Sequence, residues 1–342
     1  MKSLAEAWYT QASWLKCLRP LSLIFSLVTR MRRRWYRKKG RAYTSRLPVI
    51  VVGNLTAGGT GKTPLVIYLA QALQREGYKP GIVSRGYGSK APAYPFLVTR
   101  DSAFLEAGEE PLMIARNTGC PVIIDPDRVA AIRQLESHHD CDIIISDDGL
   151  QHYSMNRAIE IVVIDGQRGF GNEQLIPEGP LREKPERLKE VDMVVCNGTP
   201  REQIAGHYLE MSLIPRRLVH LLDQSSIAID NPVLREFSVK KVHAVAGIGN
   251  PARFFTSLCD CGFDIISHIF PDHYIYNSHD IQFPDDLDVV MTEKDAIKCA
   301  AIATEKHWYL EVESELPETF IKTLLQKLAD ASGNTAAQDR QE

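Results

Sequence analysis

A mainly parallel α/β sheet with helices on both faces is predicted by three observations. Apolar runs of strand length alternate with helical stretches, as in sheets buried on both sides. One such run, Leu47–Val52, enters a glycine-rich loop and then a helix. Another, Asp142–Ser146, ends in the paired acids Asp147 and Asp148. The 342 residues suffice for more than one domain. Apolar (44%) and charged (24%) fractions are those of an ordinary globular protein. Seven scattered cysteines with no paired Cys-x-x-Cys argue for a reducing compartment and against structural zinc.

The segment 1–40 stands apart. Trp14, Leu15, Leu18, Leu21, Phe25 and Val28 recur at helical spacing, and Pro20 is expected to break or kink that helix. The charge-free stretch Pro20–Thr29 is shorter than the ~20 residues a bilayer span needs. Arg30, Arg32, Arg33, Arg34, Arg37, Lys38, Lys39 and Arg41 follow, interleaved with Trp35 and Tyr36, and no acidic residue occurs between Glu6 and Glu76. A signal peptide has the opposite order. An apolar helix with a basic flank suits the headgroup layer of an anionic membrane, lying on it without crossing. The alternatives are a solvated basic helix or a nucleic-acid arm, and an apolar face does nothing for the latter.

The P-loop core is read over 41–205. After the first strand, Gly53-Asn54-Leu55-Thr56-Ala57-Gly58-Gly59-Thr60-Gly61-Lys62-Thr63 leads into a helix with Pro64 in its first turn. Glycines let backbone N–H groups close around phosphate oxygens, and the helix N-terminus adds partial positive charge. Thr56, Ala57, Gly58, Gly59, Thr60, Gly61, Lys62 and Thr63 are the candidate nucleotide-binding residues. Lys62 can reach the β- and γ-phosphates, and the Thr63 hydroxyl can ligate Mg²⁺. Thr56 stands where the usual pattern has Gly, and Ala57 where a second signature Lys often sits. Further strands are read at Lys79–Ser84, Pro121–Asp125, Asp142–Asp148, Ile159–Asp165 and Val191–Asn197, with a helix at 128–136. Asp147-Asp148 at a strand tip can hold Mg²⁺ directly or through water. One capping and one solvated Asp is the plain alternative.

Three polar clusters follow. Glu109-Glu110 at a helix start suits the helix dipole and could equally supply a base or a metal ligand. Arg182, in Gly179-Pro180-Leu181-Arg182, could stabilise transferring phosphate charge or grip an anionic substrate. His273 follows a Pro-Asp turn and is either a loop residue or a catalytic one. Residues 206–232 read as a linker with two short strands and 233–328 as a smaller α/β domain. Within it Gly247-Ile248-Gly249 is too short for a dinucleotide fingerprint. The polar stretch 329–342 reads as a disordered tail.

These motifs together resemble the tetraacyldisaccharide 4′-kinases of lipid A biosynthesis. The strings that carry the resemblance are the glycine loop, Ser84-Arg85-Gly86-Tyr87-Gly88, Asp125-Pro126-Asp127-Arg128, Asp147-Asp148-Gly149-Leu150-Gln151-His152, Gly179–Glu183, Asp272-His273 and Thr292-Glu293-Lys294-Asp295. The resemblance implies a P-loop kinase that transfers the ATP γ-phosphate to the 4′-hydroxyl of a tetraacylated glucosamine disaccharide 1-phosphate, giving lipid IVA. It places the enzyme peripherally on the cytoplasmic face of a Gram-negative inner membrane, with no nucleic acid and no obligatory protein partner. It implies an Asp–His pair that activates the sugar hydroxyl. The His matches His273; the Asp position is occupied here by Glu109, one methylene longer. Thr63, Asp147 and Glu110 become the expected Mg²⁺ ligands. Arg182 and Arg128 join the catalytic set, and Arg85, Tyr87, Asp148 and His152 the substrate set. A P-loop GTPase, a metal-delivery factor or a membrane-bound ATP switch is the alternative. For the GTPase, Thr292-Glu293-Lys294-Asp295 would have to read the base.

Overall fold

The computed structural model describes residues 4–10, 12–38, 40–201, 203–204, 206–230 and 241–338. Among them thirteen strands form one continuous sheet: β1 (Val49–Gly53), β2 (Pro80–Ser84), β3 (Phe96–Val98), β4 (Val122–Ile124), β5 (Ile143–Asp147), β6 (Ile159–Asp165), β7 (Met193–Asn197), β8 (Leu209–His220), β9 (Ser226–Ala228), β10 (Lys241–Ala246), β11 (Asp264–Ile269), β12 (Val289–Thr292) and β13 (His307–Glu315). The order is β11-β10-β12-β13-β8-β7-β6-β1-β5-β2-β4-β3, with β9 hung on β8. β1 lies between β5 and β6, parallel to both, so the loop after β1 opens at the centre of the crevice beyond the strands' carboxyl ends.

The period-2 logic of a doubly covered sheet holds along β1. Ile50 and Val52 enter the core on one face with Leu65, Leu69 and Leu73 of the Lys62–Arg75 helix. Val49 and Val51 enter the core on the other, with Ile132 and Leu135 of the Arg128–His138 helix. The second half of the sheet has its own pair of cores, around Phe254 and Leu258 on one side and Tyr276 and Ile281 on the other.

The two halves are joined by a strand shared between them, where two short strands were expected. Leu209–Met211 pairs in parallel with β7, and Ser212–His220 pairs antiparallel with β13. Pro215 is tolerated inside β8 because the register shifts there, opposite Glu311 and Val312. The break expected at 230–232 falls largely outside the described residues. The C-terminal helix runs from Thr319 to Gln338, into the stretch read as a disordered tail. Its Phe320, Leu324 and Leu328 anchor it in the core of the first half.

Pro20 neither breaks nor kinks the N-terminal helix. It occupies the first turn of a helix from Arg19 to Tyr36, where its missing N–H costs nothing. This helix sits on the body by its polar side. Ser22 is buried, donates to the carbonyl of Leu175 (2.9 Å) and accepts from the N–H of Glu178 (2.9 Å). Arg19 pairs with Glu178 at 2.9 Å, and Arg33 and Arg37 both pair with Glu190. Leu21, Leu23, Ile24, Leu27, Val28 and Met31 all face outward, more than half exposed. No helix among the described residues is long and apolar enough to cross a membrane.

Candidate active site

The glycine loop is held from three sides. Asn54 Nδ2 donates to the carbonyl of Gly58 (3.2 Å), and Asn197 Nδ2, from the tip of β7, to that of Thr60 (3.1 Å). The Gly179–Glu183 motif runs alongside. Ala57 N–H donates to Pro180 O (2.7 Å) and Arg182 N–H to Leu55 O (2.6 Å). Gly61, at φ 95°, starts the following helix, and a Cβ there would collide with Asn197 Nδ2. On the far side Gly249 packs on Gly59, so the Gly247-Ile248-Gly249 turn closes the nucleotide cleft against the loop. Sequence reasoning missed this role, because the approach of Gly249 to Gly59 joins residues far apart in the chain. Where Ala57 offers no cation, Arg168 reaches in instead. Its Nη1 lies 3.8 Å from where a Cβ on Gly58 would sit, and Nη2 donates to the carbonyl of Gly249.

Lys62 stands 3.6 Å from Asp148, which also receives Arg182 Nη1 at 3.0 Å. Burial pushes the Asp148 carboxyl up, but Lys62 and Arg182 more than reverse this and hold it far below the usual range. Asp147 is buried. Its Oδ2 accepts from Ser84 Oγ (3.0 Å), while Oδ1 is buried with no hydrogen-bond partner among the described residues. Burial, Glu110 and Asp148 together raise the Asp147 carboxyl, against Lys62 and Arg128. Thr63 is nearly buried, and with Lys62 and Glu110 it lines a pocket of about 210 Å³. Hard oxygen donors, one of them an orphaned buried carboxylate oxygen, fit a Mg²⁺ ion.

Arg128 does not join the phosphate-facing arginines expected from the sequence. It is fully buried, and its Nη groups donate to the carbonyls of Asp125 (2.8 Å) and Asp147 (3.2 Å). Burial pushes its pKa down to about 10, so it remains a cation beneath the strand tip. Arg85 and Tyr87 are exposed at the rim. Burial, with Arg128, Arg32 and Arg85 nearby, drops His152 to about 4, so its ring is neutral at physiological pH. The presence of Arg32 in that set brings the N-terminal helix up to the site.

Glu109 and His273 meet. The longer carboxylate arm reaches His273 Nδ1 directly, and the Tyr87 ring lies 4.9 Å from the imidazole. The His273 backbone takes φ 62°, a left-handed turn. Its pair with Glu109 raises the imidazole pKa, against burial and Lys294. Burial works to raise the Glu109 carboxyl, but His273, Lys294 and Lys298 outweigh it and hold it at about 2. Lys294 Nζ lies 2.9 Å from Glu109, 3.1 Å from Glu110 and 3.3 Å from Asp272. Lys298 lies 3.5 Å from Glu109 and 2.8 Å from Asp295. Asp295 is wholly buried and also accepts from Gly247 N–H (2.9 Å), Thr292 Oγ1 (2.6 Å) and Tyr276 OH (3.0 Å). From the Thr292–Asp295 string, Lys294 therefore draws Glu109, Glu110 and Asp272 together, while Asp295 ties Lys298 to the Gly247 turn. Lys298 escaped sequence reasoning, and Lys294 entered it only within the Thr292–Asp295 string, with no part assigned toward Glu109. The only available signal was a buried polar string directly after a strand.

Residues 14–329 match the family model described as tetraacyldisaccharide-1-P 4′-kinase. The chain is 46% identical over 329 residues to the tetraacyldisaccharide 4′-kinase of Nitrosococcus oceani, covering 95% of this chain and 94% of that one. It is 49% identical over 299 residues to the enzyme of the same name from Alkalilimnicola ehrlichii, covering 87% of each. Among solved structures it is similar to LpxK from Aquifex aeolicus in complex with ATP, with TM-score 0.76 and 27% identity, over 92% of this chain and 99% of that one. Fold, loop, paired acids and whole-length similarity agree: the chain belongs to the tetraacyldisaccharide 4′-kinase family.

Proposed function

We propose that the cleft between the glycine loop and the Glu109–His273 pair is where the γ-phosphate of ATP passes to the 4′-hydroxyl of the lipid A disaccharide precursor. The family is one of ATP-dependent lipid sugar kinases, and its model matches residues 14–329 of this chain. Phosphoryl transfer asks a protein mainly for positioning and for neutralised charge. The loop N–H groups and Lys62 hold the phosphates. Arg182, steered by Asp148, answers charge on the transferring group. Thr63, Asp147 and Glu110 would hold Mg²⁺, which when bound neutralises phosphate charge. Glu109 keeps His273 protonated at Nδ1, leaving Nε2 to take the proton from the attacking hydroxyl. Lys294 and Lys298 keep Glu109 anionic throughout. Arg85, Tyr87 and His152, with Arg32 beside them, line the side from which a sugar phosphate would enter.

The observation that carries this reading is the adjacency of Glu109 and Glu110: one engages His273, the other lines the pocket of Lys62 and Thr63. The outward apolar stripe of the Arg19–Tyr36 helix and its basic flank support a peripheral seat on the anionic cytoplasmic face of the inner membrane. The test is transfer from labelled ATP to a purified lipid A disaccharide precursor in detergent. His273→Ala should lose about 10²–10⁴-fold in turnover, the usual worth of a general base, with nucleotide binding unchanged. Near-normal turnover in that variant would remove His273 from the base role.

A further inference from the structure

Behind the Thr292–Asp295 string, away from His273, lies a second cavity of about 310 Å³. Its walls come from both halves of the molecule. Arg100, Arg116 and Asn117 belong to the first half, Arg217 to the shared strand β8, and Glu293, Tyr309 and Glu311 to the second. Three solvent-exposed guanidinium groups gathered at one small cavity repel one another and favour an anion between them. Arg217 is answered, by a two-pronged pair with Glu311 at 2.8 and 2.9 Å. Arg116 donates its Nε to the carbonyl of Arg100 (3.1 Å). Neither Arg100 nor Arg116 forms an ion pair within 4 Å among the described residues. The remaining acid, Glu293, accepts from Asn117 Nδ2 at 2.6 Å. Burial, with Glu311 close by, raises its carboxyl to about 7, which weakens it as a counter-ion for Arg116.

We propose that this cavity is a second anion site, which takes a small phosphate-bearing molecule between Arg100 and Arg116, with Arg217 at its edge. Guanidinium forks match phosphate oxygens in pairs, and the cavity has room for a phosphate on a short carbon stem. An anion there would tie the Glu109–Thr118 helix to β8, and so brace the two halves. Glu293 is common to this cavity and to the nucleotide pocket, which gives the brace a path to the loop.

The test is calorimetric titration of the full chain with inorganic phosphate and, separately, with glycerol phosphate. Lys62→Ala serves as the background, because it weakens phosphate binding at the glycine loop. Saturable binding should survive in that background. Adding Arg100→Ala and Arg116→Ala should weaken it about 100-fold, tenfold for each arginine whose charge-assisted hydrogen bonds are removed. Both arginines are exposed, so their replacement should leave the melting temperature of the chain nearly unchanged. Tighter binding of glycerol phosphate than of inorganic phosphate would support the site and assign it to phosphomonoesters; the reverse order would support it and assign free phosphate. No saturable binding of either in the Lys62→Ala chain, or binding indifferent to the two arginines, would overturn the proposal.

Discussion

The Glu109–His273 pair makes a quantitative demand on pH dependence. A base must be neutral to accept a proton, so the acid limb of kcat/KM reports the His273 pKa, and the pair with Glu109 places that limb above the ordinary histidine value. Glu109→Gln keeps an oxygen that can accept from Nδ1–H but removes the charge. A hydrogen bond to a charged acceptor is worth about 1–1.5 kcal/mol more than one to a neutral acceptor, and one pKa unit is 1.36 kcal/mol. The acid limb should therefore move down by about one unit, since Asp272 alone then opposes burial and Lys294 at the imidazole. Plateau turnover should fall by about tenfold, because a weaker base abstracts the proton less readily. The assay is the pH profile of kcat/KM between pH 5 and 9 for both proteins, with ATP saturating. A limb that stays in place or moves upward would refute the assignment of Glu109 as the partner that raises His273. Stability has its own sign. The Glu109 carboxyl is held at about 2, below its usual value of 4.5, so its contribution is complete above about pH 4.5 and is lost as pH falls toward 2.

Other perturbations test other parts. Lys298→Met leaves Asp295, wholly buried, without its cation; chemical denaturation should record a loss of about 3 kcal/mol, and a loss under 1 kcal/mol would show the pair to be dispensable. Gly61→Ala drives a Cβ into Asn197 Nδ2 at a residue with φ 95°, so nucleotide binding by calorimetry should be abolished; retained affinity would mean that the loop can rebuild. Asp147→Asn should reduce turnover more than nucleotide affinity, and its loss should not be restored by raising Mg²⁺; full restoration would place the metal on other ligands. Leu23→Gln with Leu27→Gln should reduce partition onto anionic vesicles by about 30-fold, taking roughly 1 kcal/mol per half-embedded leucine, with no change in melting temperature. Unchanged sedimentation with vesicles would remove the helix from the membrane surface.

How much of this could be read from the chain depended on the range of the interactions. The glycine loop and the tip of β5 are local patterns, strand followed by a polar turn, and they stand where their sequence context put them. The contact of Glu109 with His273 joins residues far apart in the chain, and only the family resemblance brought them together. Lys294 was legible only as part of the Thr292–Asp295 string and Lys298 not at all, because the acid they share, Glu109, lies far off in the chain. Pro215 with Arg216 and Arg217 interrupts the apolar alternation of β8, so one long strand reads as two. Arg128 looked like a phosphate ligand because charged residues are rarely fully buried; here two backbone carbonyls below the strand tip satisfy it.

The seating of the Arg19–Tyr36 helix reverses the common arrangement, with serine hydroxyls and ion pairs against the body and leucines outside. Detergent competes with apolar contacts and would leave such a helix in place while coating its outer stripe. Concentrated salt screens arginine–carboxylate pairs and would loosen it, even as it drives the bare stripes of separate molecules together. Handling this protein in mild detergent at low ionic strength should therefore preserve the helix where the cleft needs it.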